Sequence, residues 1–257
     1  MQRIIVINTK GGCGKTTIAT NLASYYASNG FVTALMDYDP QGSSLRWIEQ
    51  RAPEAPHIHG ADAAPRKGSG LKSLGRFVPR ETRQLVLDAP AGPSRLLMQE
   101  LLARANAILI PVAPSKIDIR ATANFIKELL LVGGVRHRNI RAAVVANRVR
   151  SSTAVYEPLE RFVRSLRLTF LTHLLDSEVY VESGDTGYGI FELDAQRTAQ
   201  VVDSPDIGGS AAFDLIGEPL DIVRSAKWIN RIRHPTFIGN NLLCTQRNFD
   251  RTFGGQS

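Results

Sequence analysis

Cysteine is nearly missing from this chain of 257 residues, which has only Cys13 and Cys244. Neither stands in metal-ligand spacing, and two isolated thiols argue against a disulfide framework, so a reducing, cytoplasmic setting is expected. Long apolar runs are missing as well. No window holds about twenty consecutive apolar residues, so no membrane-spanning helix is expected. The chain opens on the apolar run Ile4–Ile7 with no basic-then-apolar leader, and no secretion signal is expected from it. Acidic charge is in deficit: Lys and Arg number 31 against 24 Asp and Glu, a net charge of +7. That excess serves solubility, or it serves a polyanionic partner whose phosphates clustered cations would neutralise.

Apolar content is ample, at 43% of residues, enough for one sizeable core. Short continuous apolar runs recur at Ile4–Ile7, Val32–Met36, Leu85–Leu87, Ile108–Val112, Ala142–Ala146 and Leu168–Leu171. Helical spacing falls between them, over residues 15–29, 94–104, 119–132 and 153–166. Buried strands separated by helices predict a single α/β domain with a mainly parallel sheet and helices on both faces. Residues 51–83 carry Pro53, Pro56, Pro65 and Pro79 among several basic residues. They read as a mostly irregular connection with one short helix near 69–77. Residues 210–233 resume helical spacing, and 234–257 lose it. The expected organisation is one α/β domain over 1–233 and a loosely packed tail over 234–257.

Chemistry concentrates in "VINTKGGCGKTTIATNLA", Val6 to Ala23. Gly11, Gly12 and Gly14 let backbone N–H groups approach phosphate oxygens, and the following helix turns its positive end to the same place. Lys15 can reach terminal phosphates, the Thr16 hydroxyl can ligate Mg2+, and Thr17 follows in the first helical turn. Cys13 fills the variable position and reads as a small filler. The common phosphate-loop pattern G-x-x-x-x-G-K-[ST] wants glycine at residue 9, which is Thr9; the loop begins instead with a second lysine, Lys10. "LMDYDPQGSSLRW" then sets Asp37 and Asp39 at a strand's C-terminal end, where open α/β sheets bind ligands. "LVLDAPAG" ends another strand with Asp88, after the three apolar residues Leu85, Val86 and Leu87, a Walker B-like arrangement.

"KGGCGKTT" resembles the deviant phosphate loop of the ParA/MinD family of ATPases, and "DYDPQ" resembles that family's second motif. The resemblance spans roughly residues 1–195. It implies ATP and Mg2+ as cofactors and hydrolysis of MgATP to ADP and phosphate. It implies that Lys15 serves the chain's own nucleotide while Lys10 crosses a homodimer interface to the nucleotide of the other subunit. By the same resemblance Asp39 positions the attacking water, Asp37 supports the magnesium shell with Thr16 and Asp88, and Asn147 of "VVANRVR" reads the adenine edge beside Arg148. "PVAPSKIDIRAT", Pro111 to Thr122, resembles the segment entering a helix near the dimer interface.

D-x-D-P-Q-x-S-x-x-x-W and P-S-x-x-D resemble the small ParA-like group. That implies a cytoplasmic, nucleoid-associated ATPase that dimerises on ATP and binds DNA without sequence preference. It would position a plasmid, chromosome or carboxysome with a ParB-like or McdB-like cargo adaptor that stimulates hydrolysis. Arg224, Lys227, Arg231 and Arg233, at mixed steps in the late helical stretch, are the candidate DNA contacts. A MinD-like membrane-associated ATPase is the alternative, although the stretch from His234 lacks an amphipathic face. A metabolic synthetase of the same fold ranks below it, and an iron-protein-like electron carrier would need cluster cysteines that "DAPAG" lacks.

Overall fold

The computed structural model describes residues 1–65, 77–131, 135, 140–150, 156–166 and 168–193. Strand β1 (Gln2–Val6) lies at the middle of a seven-stranded sheet, flanked by β4 (Gln84–Asp88) and β5 (Ala107–Val112). Beyond β4 lie β2 (Thr33–Asp37) and β3 (Ile58–Asp62); beyond β5 lie β6 (Arg141–Val149) and β7 (Thr169–Leu175). Every pairing is parallel. Parallel strands need both faces covered, which is why β2, β4 and β5 are buried at every position.

Two cores provide that cover. On one face Ile4, Val6, Leu35 and Val86 pack against α1 (Lys15–Ser28) and against Trp47 of α2 (Ser43–Glu49). On the other, Ile5, Met36, Leu87 and Ile110 pack against α3 (Arg95–Arg104), α4 (Lys116–Leu131) and α5 (Glu157–Ser165). Neighbouring residues of one strand therefore serve opposite cores, as the two-residue period of a pleated strand requires. A last helix, α6 (Val179–Thr186), returns to the α1–α2 side, where the Trp47 indole N–H donates to the Ser183 carbonyl at 2.7 Å.

The expected α/β architecture is present. One part of the reading is corrected: the stretch expected to be an irregular connection contains β3, paired to β2 from Thr33↔Ile58 to Asp37↔Asp62. His59, Gly60 and Asp62 are weak strand formers, so this edge strand exists through pairing with β2 rather than through propensity. The helix expected near 69–77, the helix over 210–233 and the tail from His234 lie outside the described residues, Phe77 excepted.

Candidate nucleotide-binding site

Register assembles the site before any side chain is considered. Val6 pairs with Asp88 and Asp88 pairs with Asp37, so the loop after β1 and two carboxylates leave the sheet at one level. The chain then turns from β1 into α1 through Gly12 (φ 73°) and Gly14 (φ 90°), the second of which N-caps the helix. At Gly14 nothing but glycine fits. A Cβ there would lie 2.0 Å from Asn147 Nδ2, in a backbone conformation that side chains rarely adopt.

The two lysines occupy different environments. Lys15 is buried, and its ammonium donates to the Lys10 carbonyl at 2.8 Å, folded back along the loop that carries it. Lys10 is 41% exposed at the loop's rim and faces Asp118 of α4, Nζ to Oδ1 3.4 Å. Asp118 is in turn fixed by Ser115: its Oδ2 accepts from the Ser115 hydroxyl at 2.6 Å, and its N–H donates to Ser115 Oγ at 3.0 Å. Cys13 is buried and its Sγ lies 3.4 Å from the Lys10 carbonyl. Burial pushes its thiol up, while Lys15 pulls the other way. That is the behaviour of an inert filler.

Asn8 is a member that the motif reading passed over. It is fully buried, and its Nδ2 donates to the Pro111 carbonyl (2.7 Å) and to Thr122 Oγ1 (2.9 Å). Its Oδ1 accepts from the Lys10 N–H at 3.3 Å. One amide thus ties the loop to the end of β5 and to α4.

The carboxylates divide their work. Asp37 is buried. Its Oδ1 accepts from the Asp39 N–H at 2.9 Å, and its Oδ2 accepts from the N–H groups of Ser44 (3.0 Å) and Leu45 (3.3 Å), which fastens α2. Asp39 is half-buried, and its Oδ1 accepts from the Gln41 N–H at 2.9 Å, which orients the carboxylate in its turn. Asp88 is buried with no hydrogen bond of ordinary geometry to either oxygen. Burial pushes its pKa up to about 7; the hydroxyls of Thr16 and Ser44 lie near enough to favour the anion only partly, and Asp37 opposes it. The Ser44 hydroxyl is likewise buried with no hydrogen bond of ordinary geometry.

Two unsatisfied carboxylate oxygens near the Thr16 hydroxyl are a donor set that suits a hard divalent cation. Among the described residues no group of three His, Cys, Asp or Glu forms a cage for a metal. A hard divalent cation such as Mg2+ takes one or two protein oxygens and fills its shell with phosphates and water. Asp62, carried in by β3, pairs with Asp37 in the same row; its Oδ1 accepts from the Ala64 N–H at 3.0 Å.

Asn147 and Arg148 lie in the last part of β6, where the register with β7 slips between Ala146 and Val149. Asn147 is buried against the phosphate loop, its Nδ2 donating to the Cys13 carbonyl at 3.0 Å, and Tyr156 holds the Asn147 carbonyl at 2.9 Å. Arg148 is exposed with φ 55°, the only non-glycine in the left-handed region among the described residues. Gly11, Gly12, Cys13, Gly14, Lys15, Thr16, Thr17, Asn147 and the three carboxylates Asp37, Asp39 and Asp88 thus gather at one end of the sheet. Arg224, Lys227, Arg231 and Arg233 lie outside the described residues.

Loops of this build, opened between a parallel strand and its helix, define the P-loop class of nucleotide-binding proteins. Within that class the chain belongs to the family described as the CobQ/CobB/MinD/ParA nucleotide binding domain, which matches residues 4–187. It is 29% identical over 200 residues to the maintenance of carboxysome distribution protein A of Halothiobacillus neapolitanus, covering 75% of this chain and 88% of that one. It is 29% identical over 154 residues to the chromosome-partitioning ATPase Soj of Thermus thermophilus, covering 50% of this chain and 61% of that one. The fold is also that of MinD from Aquifex aeolicus, with a TM-score of 0.57 at 18% identity over 78% of this chain and 93% of that one. The matches spread over several branches of the ParA/MinD family.

Proposed function

We propose that the chain is an ATPase that dimerises on MgATP, binds DNA without sequence preference and positions a cargo through a hydrolysis cycle stimulated by an adaptor protein. The observation that carries this reading is the unequal burial of the two lysines. Lys15 lies inside the loop, where it can serve only the phosphates the loop holds. Lys10 stands at the rim with its ammonium accessible, where a second subunit's triphosphate can reach it. Two facing triphosphates repel, and a cation from each side offsets that repulsion only when both are loaded.

Within one subunit the loop N–H groups and the N-terminus of α1 bind phosphate oxygens. Thr16 and Asp88 would hold Mg2+, with Asp37 behind them, and the ion would supply charge neutralisation at the β- and γ-phosphates. Asp39 orients the attacking water and accepts its proton. Asn147, fixed against the Cys13 carbonyl, stands beside the loop for the base edge. The cargo reading rests on the relatives. One is named for carboxysome distribution and another for chromosome partitioning, and a net charge of +7 suits a nucleic-acid surface.

Light scattering with a non-hydrolysed ATP analogue tests the core of the proposal. The mass of 28.2 kDa should double with the analogue and Mg2+. Lys10→Ala should still bind the analogue but keep the monomer mass. A parent chain that stays monomeric when saturated would refute the reading.

A further inference from the structure

Tyr38 stands between the two carboxylates of the D-Y-D turn, and nothing in the phosphate chemistry asks for a phenol there. The side chain is nevertheless as deeply buried as that of Asp37. It is 1% exposed and packs into the core on the α3–α4 side, opposite the face that receives Asp37. Its hydroxyl oxygen accepts from Arg104 Nη1 at 2.9 Å, at the last residue of α3. Its backbone N–H donates to the Asp88 carbonyl at 2.9 Å. Burial pushes the phenol's pKa above its ordinary value, with Arg104 pulling it back, so the group is neutral at physiological pH.

Both attachments lead to the same stretch of chain. Asp88 closes β4, residues 89–94 turn the corner, and α3 runs from Arg95 to Arg104. Tyr38 therefore grips this stretch at its start through the backbone and at its end through the ring. The residues on either side, joined to it through the main chain, are tied to each other across it: the Asp39 N–H donates to Asp37 Oδ1, and the Gly42 N–H donates to the Asp39 carbonyl at 2.9 Å. A shift of the Tyr38 ring moves Asp37 and Asp39 relative to Asp88.

We infer that Tyr38 and Arg104 are positioning residues for phosphoryl transfer: their bond sets the distance between the water-orienting Asp39 and the cation-holding Asp88. Neither touches the reacting atoms. This inference rests on the ATPase reading above. Its physical basis is that misplacing a catalytic group by about 1 Å costs on the order of a hundredfold in rate, while uniform binding of substrate is little affected.

Tyr38→Phe removes one oxygen and keeps the ring. Steady-state hydrolysis of MgATP by the full chain should show kcat lowered about five- to twentyfold with KM within about twofold of the parent. Arg104→Gln should do the same, and the double variant should be no slower than either single one, because both break one bond. Arg104→Lys, which retains a donor, should recover part of the loss. Arg104 is only partly buried, so its variants keep the chain testable if Tyr38→Phe fails to fold. Single variants with parental kcat, or effects that multiply in the double variant, overturn the inference even if melting temperatures fall. A parent chain that does not hydrolyse ATP at all would instead refute the ATPase reading, and the positioning role with it.

Discussion

Asp88 shows what a single buried carboxylate costs when only protein surrounds it. Its folded pKa of about 7 stands above the ordinary 3.8, chiefly because burial penalises the anion. Between those values the folded chain holds a proton that the unfolded chain has released, so stability falls as pH rises from about 4 to 7 and is level above. The span corresponds to on the order of 4 kcal/mol. In chelator, Asp88→Asn should melt higher than the parent at pH 8, with the gap closing at pH 5. Added Mg2+ should raise the parent and not the variant, and thermal melts in the four conditions check both statements. Asp39 is only half-buried, in the turn after β2. Asp39→Ala should bind the ATP analogue and form the dimer, yet hydrolyse ATP at least about a hundredfold more slowly; turnover equal to the parent would move the water-positioning role to another acid. As candidates, Lys15, Thr16 and Asp88 could be named from the sequence because phosphate chemistry limits which residue types serve it, and Lys10, Asp37 and Asp39 because their motifs resemble the family's. Asn8 and Tyr38 could not. Their work is to hold other residues, and only the fold shows which neighbours they hold.

Elements were legible in proportion to their apolar content. β1, β4 and β5 are near-continuous Ile, Leu and Val, and they sit where the pattern put them. β3 is "IHGAD" and α2 is a seven-residue helix; neither has enough length or periodicity to stand out. The segment after α6 was readable only as a likeness, yet it is closely fastened. Arg51, just past α2, donates to Glu192 (2.9 and 3.0 Å) and to the Gly187 carbonyl (2.7 Å), with both side chains of the ion pair under a tenth exposed. Glu192 also accepts from the Gly189 N–H and from Ser28 at the end of α1. Gly187 has φ 73°, and a Cβ there would strike the backbone of Arg51, Gln50 and Trp47 within 3.0 Å. Burial alone would raise the Glu192 pKa, but Arg51 and the donors around it outweigh burial and hold it below the ordinary value. The bond therefore adds stability above the unfolded carboxylate pKa and loses it as pH falls through the folded one. Glu192→Gln should cost about 3 kcal/mol at pH 7, and much less near pH 3, as denaturant unfolding at the two pH values would show.

At the scale of the whole molecule, a two-faced parallel sheet sends its reactive loops out at one rim, and the net charge of +7 supplies the long-range field. If that field carries DNA binding, affinity for arbitrary duplexes in the presence of ATP should fall at least about tenfold between 50 and 200 mM salt, whatever the sequence. Filter binding or fluorescence anisotropy across salt decides this, and a flat response would remove the electrostatic account. Lys10 and Asp118 make a partly exposed pair worth less than about 1 kcal/mol. Lys10→Ala should therefore melt close to the parent, and any lost dimer is then not lost fold.

The opposite rim lies at the other ends of the same strands. There the chain passes from α1 into β2 through exposed Asn29 and Gly30, a five-residue strand away from Asp37. That separation is about 17 Å. A dye attached at this remote bend would ride with the rigid body without crowding the phosphates, giving a fluorescent handle by which assembly and release can be watched on single molecules.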